Sequence, residues 1–523
     1  MTLPICICFG VAVFLAFACA AVKYMHYFQL NSYKFAEHKG WLLRNVGQLC
    51  LAAILSVLVG LSSVFGVTVG GILATAFALL YALASKPKSA KSSKIALKFT
   101  SRVKRMLVTE LILFAALAAA FVFLLPLKLI FIGGGVLLLL APYVNLLANL
   151  INAPIEKGVR NYYINDAKKM LKAHPNLRIV GVTGSYGKTG TKYALSALLA
   201  EKYDVLMTPA SYNTPMGVVI TIRSSLKATT EIFVCEMGAK YVGDIDELCR
   251  LVEPELAIIT SVGAQHLETF GSLERIVSTK FEIADFLLKK GKKTIVGFDN
   301  ENIKDELLNR PDGQFIKCGR DESADFKVSD ISADERGTSF TLTLSDGQSV
   351  RLTVGLLGAH NVSNIACAAA AAYELGMTLD EIRLAARKIE PAPHRLQMSR
   401  KGRDILIDDA YNANPAGTRA ALDALAMLEG CKIIITPGMI ELGGESERFN
   451  RRLGEDAAKV CDYIFLVGER QTRPIKSGAL DFGFDSSKLK VFERVEDAIS
   501  FAYQMQTDER KVILIENDLP DNY

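Results

Sequence analysis

A chain of 523 residues has room for about three domains, each large enough to bury its own core, so size excludes only a miniature scaffold. The formal net charge of +5 is small, and no stretch pairs basic clusters with stacking aromatics, which excludes a nucleic-acid surface. The ten cysteines show neither metal-ligand nor disulfide spacing, a usage that fits a reducing compartment.

Five apolar runs open the chain, at about 3–25, 46–64, 67–85, 106–125 and 128–150. Each approaches the ~20 residues that a helix needs to cross hydrocarbon, which predicts five transmembrane helices within residues 1–150. The connection 26–45 carries Lys34, Lys39 and Arg44, and 85–105 carries eight basic residues from Lys86 to Arg105 without one acid. Short turns near 65 and 126 have Lys128 as their only base. The positive-inside rule therefore predicts an N-terminus outside, both basic loops in the cytoplasm and everything after residue 150 inside, as a multi-pass cell-membrane protein. A signal peptide is not expected, because the first run lacks a basic leader and four more runs follow. The basic loop also reads as an anionic-lipid site, although topology alone explains such loops. Glu110 falls near the cytoplasmic end of its helix, and no chain of buried acids and bases marks a transport path.

From residue 155 the pattern changes to short β-runs (179–183, 231–236, 256–260, 293–297) alternating with helical stretches (188–201, 244–252, 273–289), an α/β reading with a parallel sheet. The first β-run ends in Thr183-Gly-Ser-Tyr-Gly-Lys-Thr. Glycines in such a turn let backbone N–H groups converge on oxyanions, while Lys188 reaches phosphate and the Thr189 hydroxyl holds Mg²⁺. The usual pattern asks for glycine at 182, where the chain has valine. Residues 313–357 alternate as strands and read as a β insertion closing the domain, followed by the alanine-rich helix 361–375. After Glu390-Pro-Ala-Pro-His-Arg a second alternation begins: strand 404–408, helix 415–429, strand 432–436, helix 447–460, strand 462–467, helix 495–506, strand 511–516. It predicts a separate, smaller α/β domain.

Glu236 ends a buried β-run, and His266 follows Ile259-Thr-Ser-Val-Gly-Ala-Gln. A metal–phosphate site draws on acids and imidazoles at strand ends, but each of these also reads as a capping acid or a surface histidine. Lys280, inside a helix, reads on its own as a solvated lysine.

The context of these residues is a series of matches in one order. Thr183-Gly-Ser-Tyr-Gly-Lys-Thr, Tyr212-Asn-Thr-Pro-Met-Gly, Glu236-Met-Gly, His266-Leu-Glu-Thr-Phe-Gly-Ser and Lys280-Phe-Glu-Ile come first. Gly358-Ala-His-Asn, His394-Arg, Asp408-Asp-Ala-Tyr-Asn-Ala-Asn and Pro437-Gly-Met-Ile-Glu-Leu-Gly follow. Through them residues 175–520 resemble the Mur ligases, ATP-dependent amide-forming enzymes of peptidoglycan precursor synthesis, and lean toward the D-alanyl-D-alanine-adding branch. The family loop Thr-Gly-x-x-Gly-Lys-Thr also accounts for the valine at 182. The resemblance implies a central P-loop ATPase domain over 155–392 and a smaller C-terminal Rossmann-like domain over 393–523. It implies an ATP site of Thr183, Gly184, Ser185, Tyr186, Gly187, Lys188, Thr189, Asn361, Arg395 and Asp409. Two Mg²⁺ ions would sit on Thr189 and Glu236, and on His266 with Lys280, the lysine carrying a CO₂-derived carbamate. Asn213, Thr214, Asn412 and Asn414 would line the substrate pocket, and Lys188, Lys280, His266 and Arg395 would act in catalysis.

The implied partners are a muramyl-peptide or another envelope precursor, D-Ala-D-Ala or another amine, and membrane lipids. The resemblance stops at both ends. Apolar runs occupy the place of the family's UDP-holding N-terminal domain, and its Lys-Gly-Ser-Arg-like stretch gives way to Ile515-Glu-Asn-Asp-Leu-Pro-Asp-Asn-Tyr. Two substrate readings stay open: the muramyl-peptide reaction, or the same ATP chemistry on a different envelope acceptor, a lipid-linked one included. From other classes, an ATP-driven transporter lacks a Leu-Ser-Gly-Gly-Gln-type signature, and an idle scaffold leaves the intact Lys188, Glu236, His266, Lys280, Arg395 and Asp409 unexplained.

Overall fold

The computed structural model describes residues 2–31, 33–86, 96–265, 267–311, 313–334, 337–356, 358, 360–410, 413–440 and 442–517. They divide into two compact units that meet in sequence at Tyr162/Tyr163, inside a long helix and not at the expected boundary near 150.

The first unit holds α1 (Thr2–Leu30), α2 (Phe35–Arg44), α3 (Val46–Leu61), α4 (Gly66–Ala84), α5 (Ser101–Leu124) and the start of α6 (Ile130–Lys172). Long helices form because the runs are apolar on every side, leaving the backbone to satisfy its own hydrogen bonds. Contacts fix their directions. Phe9 meets the Phe131 ring edge-on at 5.0 Å, and Asn145 Nδ2 donates to the Tyr24 carbonyl at 3.2 Å, so α6 runs with α1. Phe17 meets Phe114 at 4.5 Å, while Met25 and Phe28 pack with Val103 and Met106, so α5 runs against α1. Gly71 lies against Ile5 and Lys23 donates to the Ala84 carbonyl, so α4 runs with α1. The outer faces are apolar, with Ile54, Val57, Ile72, Ile112 and Phe123 exposed.

Four helical stretches are long and apolar enough to cross a membrane by length and composition, where five were expected: Leu3–Leu30, Leu49–Ala84, Ser101–Leu124 and Ile130–Lys172. The difference lies in the second, which joins α3 to α4 through a 3₁₀ turn at Ser62–Phe65 and Gly66 at φ +76°. The 16 residues of α3 rise only about 24 Å, short of the ~30 Å hydrocarbon core.

The second unit contains two sheets. The larger collects β1 (Arg178–Thr183), α7 (Lys188–Leu199), β2 (Val205–Met207), α8 (Pro215–Ser225), β3 (Ile232–Glu236), α9 (Asp244–Val252), β4 (Leu256–Ile259), α10 (Leu267–Phe270), α11 (Leu273–Leu288) and β5 (Thr294–Gly297). It continues with α12 (Glu301–Leu307), β6 (Phe315–Gly319), β7 (Phe326–Asp334), β8 (Gly337–Leu344), β9 (Ser349–Val354), α13 (His360–Glu374) and α14 (Leu379–Ala386). Strand order is β2-β3-β1-β4-β5-β6-β7-β8-β9, parallel through β7 and antiparallel from there. The expected β insertion is thus the far edge of the same sheet. Buried on both faces, β1, β3 and β4 are apolar almost throughout, as central parallel strands require. Ala366 and Ala368–Ala372 of α13 are fully buried, their small side chains letting the helix lie close to the sheet beside α7.

The smaller sheet has the order β10 (Gln397–Lys401), β11 (Asp404–Asp409), β15 (Lys511–Glu516), β12 (Cys431–Thr436), β13 (Tyr463–Val467), β14 (Leu489–Phe492), parallel except for β10. Around it pack α15 (Pro415–Ala426), α16 (Ser446–Val460), α17 (Glu469–Asp481) and α18 (Val495–Gln504). The α/β class and the two-sheet division agree with expectation; β10, α17 and β14 are additional.

Candidate active site

The phosphate loop is held between the end of β1 and the start of α7. Gly184 and Gly187 have φ +145° and +82°, conformations that L side chains rarely adopt. A Cβ on Gly184 would fall 2.1 Å from Thr260 Oγ1, and one on Gly187 would fall 2.3 Å from Asn364 Oδ1, so only glycine fits either place. Neighbouring groups tie the loop down. Thr183 Oγ1 donates to the Met237 carbonyl at 3.0 Å, Ser185 Oγ to the Gly263 carbonyl at 3.0 Å, and the hydroxyls of Thr260 and Ser261 to the Tyr186 carbonyl. Gly187 is the N-cap of α7 and no side chain caps the first turn, which leaves a helix N-terminus suited to phosphate.

Lys188 folds back on this loop, donating to the Gly184 and Ser185 carbonyls at 2.8 and 2.9 Å. Burial brings its pKa down to about 8; Glu236 opposes that fall and Arg395 adds to it. Glu236, 1% exposed at the end of β3, collects three donors. Thr189 Oγ1 and Lys192 Nζ lie 3.1 Å from Oε2, and Asn213 Nδ2 donates to Oε1 at 3.0 Å. Lys192 was missed in the sequence, where a helix lysine reads as solvated; its place four residues after Lys188, on the same face of α7, was the available signal.

Lys280, 2% exposed on α11, has its pKa lowered to about 7 by burial and by the charge of Lys188, against the acids Asp244 and Glu282. Arg395 lies in the connection to the smaller sheet, between His394 (φ +57°) and Leu396 (φ +49°). Its charge acts both on Lys188 and on Asp409, whose carboxyl burial raises and which accepts from Leu396 N at 3.2 Å. Asn361 stands in the first turn of α13, the helix that brings Asn364 against Gly187. Thr214 and Asn414, expected in the substrate pocket, are the N-caps of α8 and α15, accepting from Gly217 N and Gly417 N, each ahead of a proline. His266 and Asn412 lie outside the described residues.

The donor set suits Mg²⁺. Among the described residues no three His, Cys, Asp or Glu gather to hold a metal, but a hydroxyl and one carboxylate beside a phosphate cradle are the hard oxygens that a phosphate-bound Mg²⁺ uses.

Comparison with known proteins agrees with this geometry. The family model described as Mur ligase middle domain matches residues 182–372, and that described as Mur ligase, glutamate ligase domain matches 394–516. The chain is 33% identical over 336 residues to UDP-N-acetylmuramoyl-tripeptide--D-alanyl-D-alanine ligase of Escherichia coli (strain K12), covering 62% of this chain and 73% of the relative. Against the ligase of the same name from Bacillus subtilis (strain 168) it is 34% identical over 326 residues, covering 62% and 69%. The crystal structure of MurF from Acinetobacter baumannii superposes with a TM-score of 0.61 at 28% identity, over 69% of this chain and 77% of that one. MurF ligase from Thermotoga maritima in complex with ADP gives 0.60 at 28%, over 69% and 80%. The family models begin at residue 182, so α1 to α5 and all of α6 precede them. With its loop, its two ordered sheets and these relatives, the chain belongs to the Mur ligase family.

Proposed function

We propose that this chain is an ATP-dependent, ADP-forming ligase that adds D-alanyl-D-alanine to a UDP-muramoyl tripeptide from the cytoplasmic face of a membrane. The observation that carries the proposal is the set of contacts that puts Thr189, Lys192 and Asn213 on Glu236 beside the Lys188 loop. In this reading the acceptor carboxylate attacks the γ-phosphorus of ATP and ADP leaves. The amine then attacks the acyl phosphate, loses a proton, and the tetrahedral intermediate expels phosphate to leave an amide. Lys188 exchanges its two loop carbonyls for phosphate oxygens, and Arg395 adds positive charge where the phosphoryl group passes. Thr189 and Glu236 would hold one Mg²⁺, and His266 with a carbamylated Lys280 a second, and these ions would supply further neutralisation of the phosphates. Lys280 favours carbamylation because a buried amine whose pKa is lowered to about 7 is about half unprotonated at neutral pH, and that fraction is free to add to CO₂. The apolar faces of the first unit support a multi-pass anchor, and the basic bias of 26–45 and 85–105 supports an N-terminus outside, with α3 and α4 passing separately as a hairpin about Ser62–Phe65.

One observation favours a second reading. In the sequence, apolar helices precede the family models where the resemblance leads one to expect a UDP-holding domain, which supports the same chemistry on a lipid-linked envelope acceptor. Phosphate release from ATP separates the two. Release that requires both UDP-muramoyl tripeptide and D-alanyl-D-alanine supports the first reading; release only with a lipid-linked acceptor supports the second; none with any acceptor contradicts both.

A further inference from the structure

Lys192 is fully buried on α7, and a methionine there would fill a similar volume without carrying a charge out of water. The ammonium has two partners that come from different parts of the fold. One is Glu236 Oε2 at 3.1 Å; the other is the carbonyl of Ala210, to which it donates at 2.6 Å. Ala210 stands at φ +42° in the segment 208–213 that connects β2 to α8. That segment touches Glu236 at both its ends. Thr208 Oγ1 accepts from Glu236 N at 3.0 Å, and Asn213 Nδ2 donates to Glu236 Oε1 at 3.0 Å. The Lys192 bond grips it in the middle, at the residue whose backbone is bent into the left-handed region. Glu236 in turn accepts from Thr189, the first-turn hydroxyl of the phosphate loop.

We propose that Lys192 is a positioning residue that couples the phosphate loop to segment 208–213, so that nucleotide bound at residues 184–189 orders the backbone carrying Asn213. The proposal rests on the reading of that loop as an ATP site. Movement of Thr189 or a change of charge at Glu236 reaches Ala210 through one ammonium, and from there the chain leading to Thr214 and α8. The coupling needs both bonds at once, because a counter-charge for Glu236 alone would leave segment 208–213 indifferent to the loop.

Hydrogen exchange on the full chain in detergent micelles, with Mg²⁺ and the non-hydrolysable analogue AMPPNP as probe, tests this. In wild type the analogue slows exchange at 208–213. In Lys192→Met without nucleotide the same amides exchange about tenfold faster, while those of β1 keep their wild-type rates. At a concentration of Mg²⁺ and AMPPNP that protects the amides of 184–189 in the variant, segment 208–213 gains no protection, and Lys192→Arg, which keeps the charge, recovers part of it. Wild-type exchange and wild-type protection at 208–213 in Lys192→Met would overturn the proposal. If Lys192→Met loosens β1 as well, Lys192→Gln decides by the same two outcomes. A wild-type chain that binds no AMPPNP overturns the ATP reading alone, and the nucleotide-free rates then decide whether Lys192 tethers the segment.

Discussion

At Glu236 a hydroxyl, an ammonium and an amide converge on one buried carboxylate, and at Lys188 an ammonium rests on the carbonyls of its own loop. Lys188→Ala removes the loop's ammonium from the phosphates, so ATP turnover should fall by about 10³-fold or more while unfolding temperature changes little; steady-state phosphate release checks this. Lys280 gives a pH-dependent signature. Protonation blocks addition to CO₂, so the proposed carbamate should form above about pH 7 and be lost as pH falls through that value. A ¹³C carbamate resonance from labelled bicarbonate should follow this course and vanish in Lys280→Ala, whose activity a short free carboxylate should partly restore. Lys188, Thr189 and Glu236 were legible from a glycine-rich turn and an acid closing an apolar strand. The capping roles of Thr214 and Asn414 were equally open to reading, since each precedes a proline, the residue favoured at a helix's first position. For Lys192 the sequence offered only its spacing from Lys188, because burial of a helix lysine depends on what the fold sets beside it.

Strands β1, β3, β4, β12, β13 and β15 could be located because they are buried and correspondingly apolar, and β11 because its apolar residues Ile405 and Ile407 alternate with less buried ones. Helix α17 escaped notice: it is polar, contains Pro474, and buries only Thr472, Ile475, Gly478 and Ala479. What it offers instead is closeness. A Cβ on Gly478 would lie 2.1 Å from the Arg451 carbonyl oxygen, and one on Gly454 would lie 2.0 Å from that of Ile475. Backbone lines both contacts, so Gly478→Ala should force α16 and α17 apart and cost about 1–3 kcal/mol, read as a lower denaturant midpoint. Gly187→Ala should act differently. Its Cβ strikes Asn364 at a positive φ, so nucleotide affinity should drop more than stability, as calorimetric titration with ADP would report.

On the scale of the whole molecule, the alternating helix directions of the first unit bring Lys23, Ala84 and Asn145 toward the same end as the segment at 96–100, which Gln29 touches at Lys98. The turn at Ser62–Phe65 lies at the other end, where Gly70 meets Ser62. This arrangement, together with the basic bias of 85–105, predicts that in a cysteine-free background Ser63→Cys reacts with a membrane-impermeant maleimide on intact cells and Lys86→Cys only after lysis. The reverse pattern would invert the topology. Composition revealed the apolar runs, but not that two of them join in one stretch, because a 3₁₀ turn of Ser-Ser-Val-Phe carries no charge to announce it. The central claim, that the Lys188 loop activates a carboxylate for amide formation, is tested most directly by isotope transfer. With UDP-muramoyl tripeptide labelled with ¹⁸O in its terminal carboxylate, ATP, Mg²⁺ and D-alanyl-D-alanine, the account predicts one ¹⁸O atom in each phosphate released; phosphate released without label would contradict it.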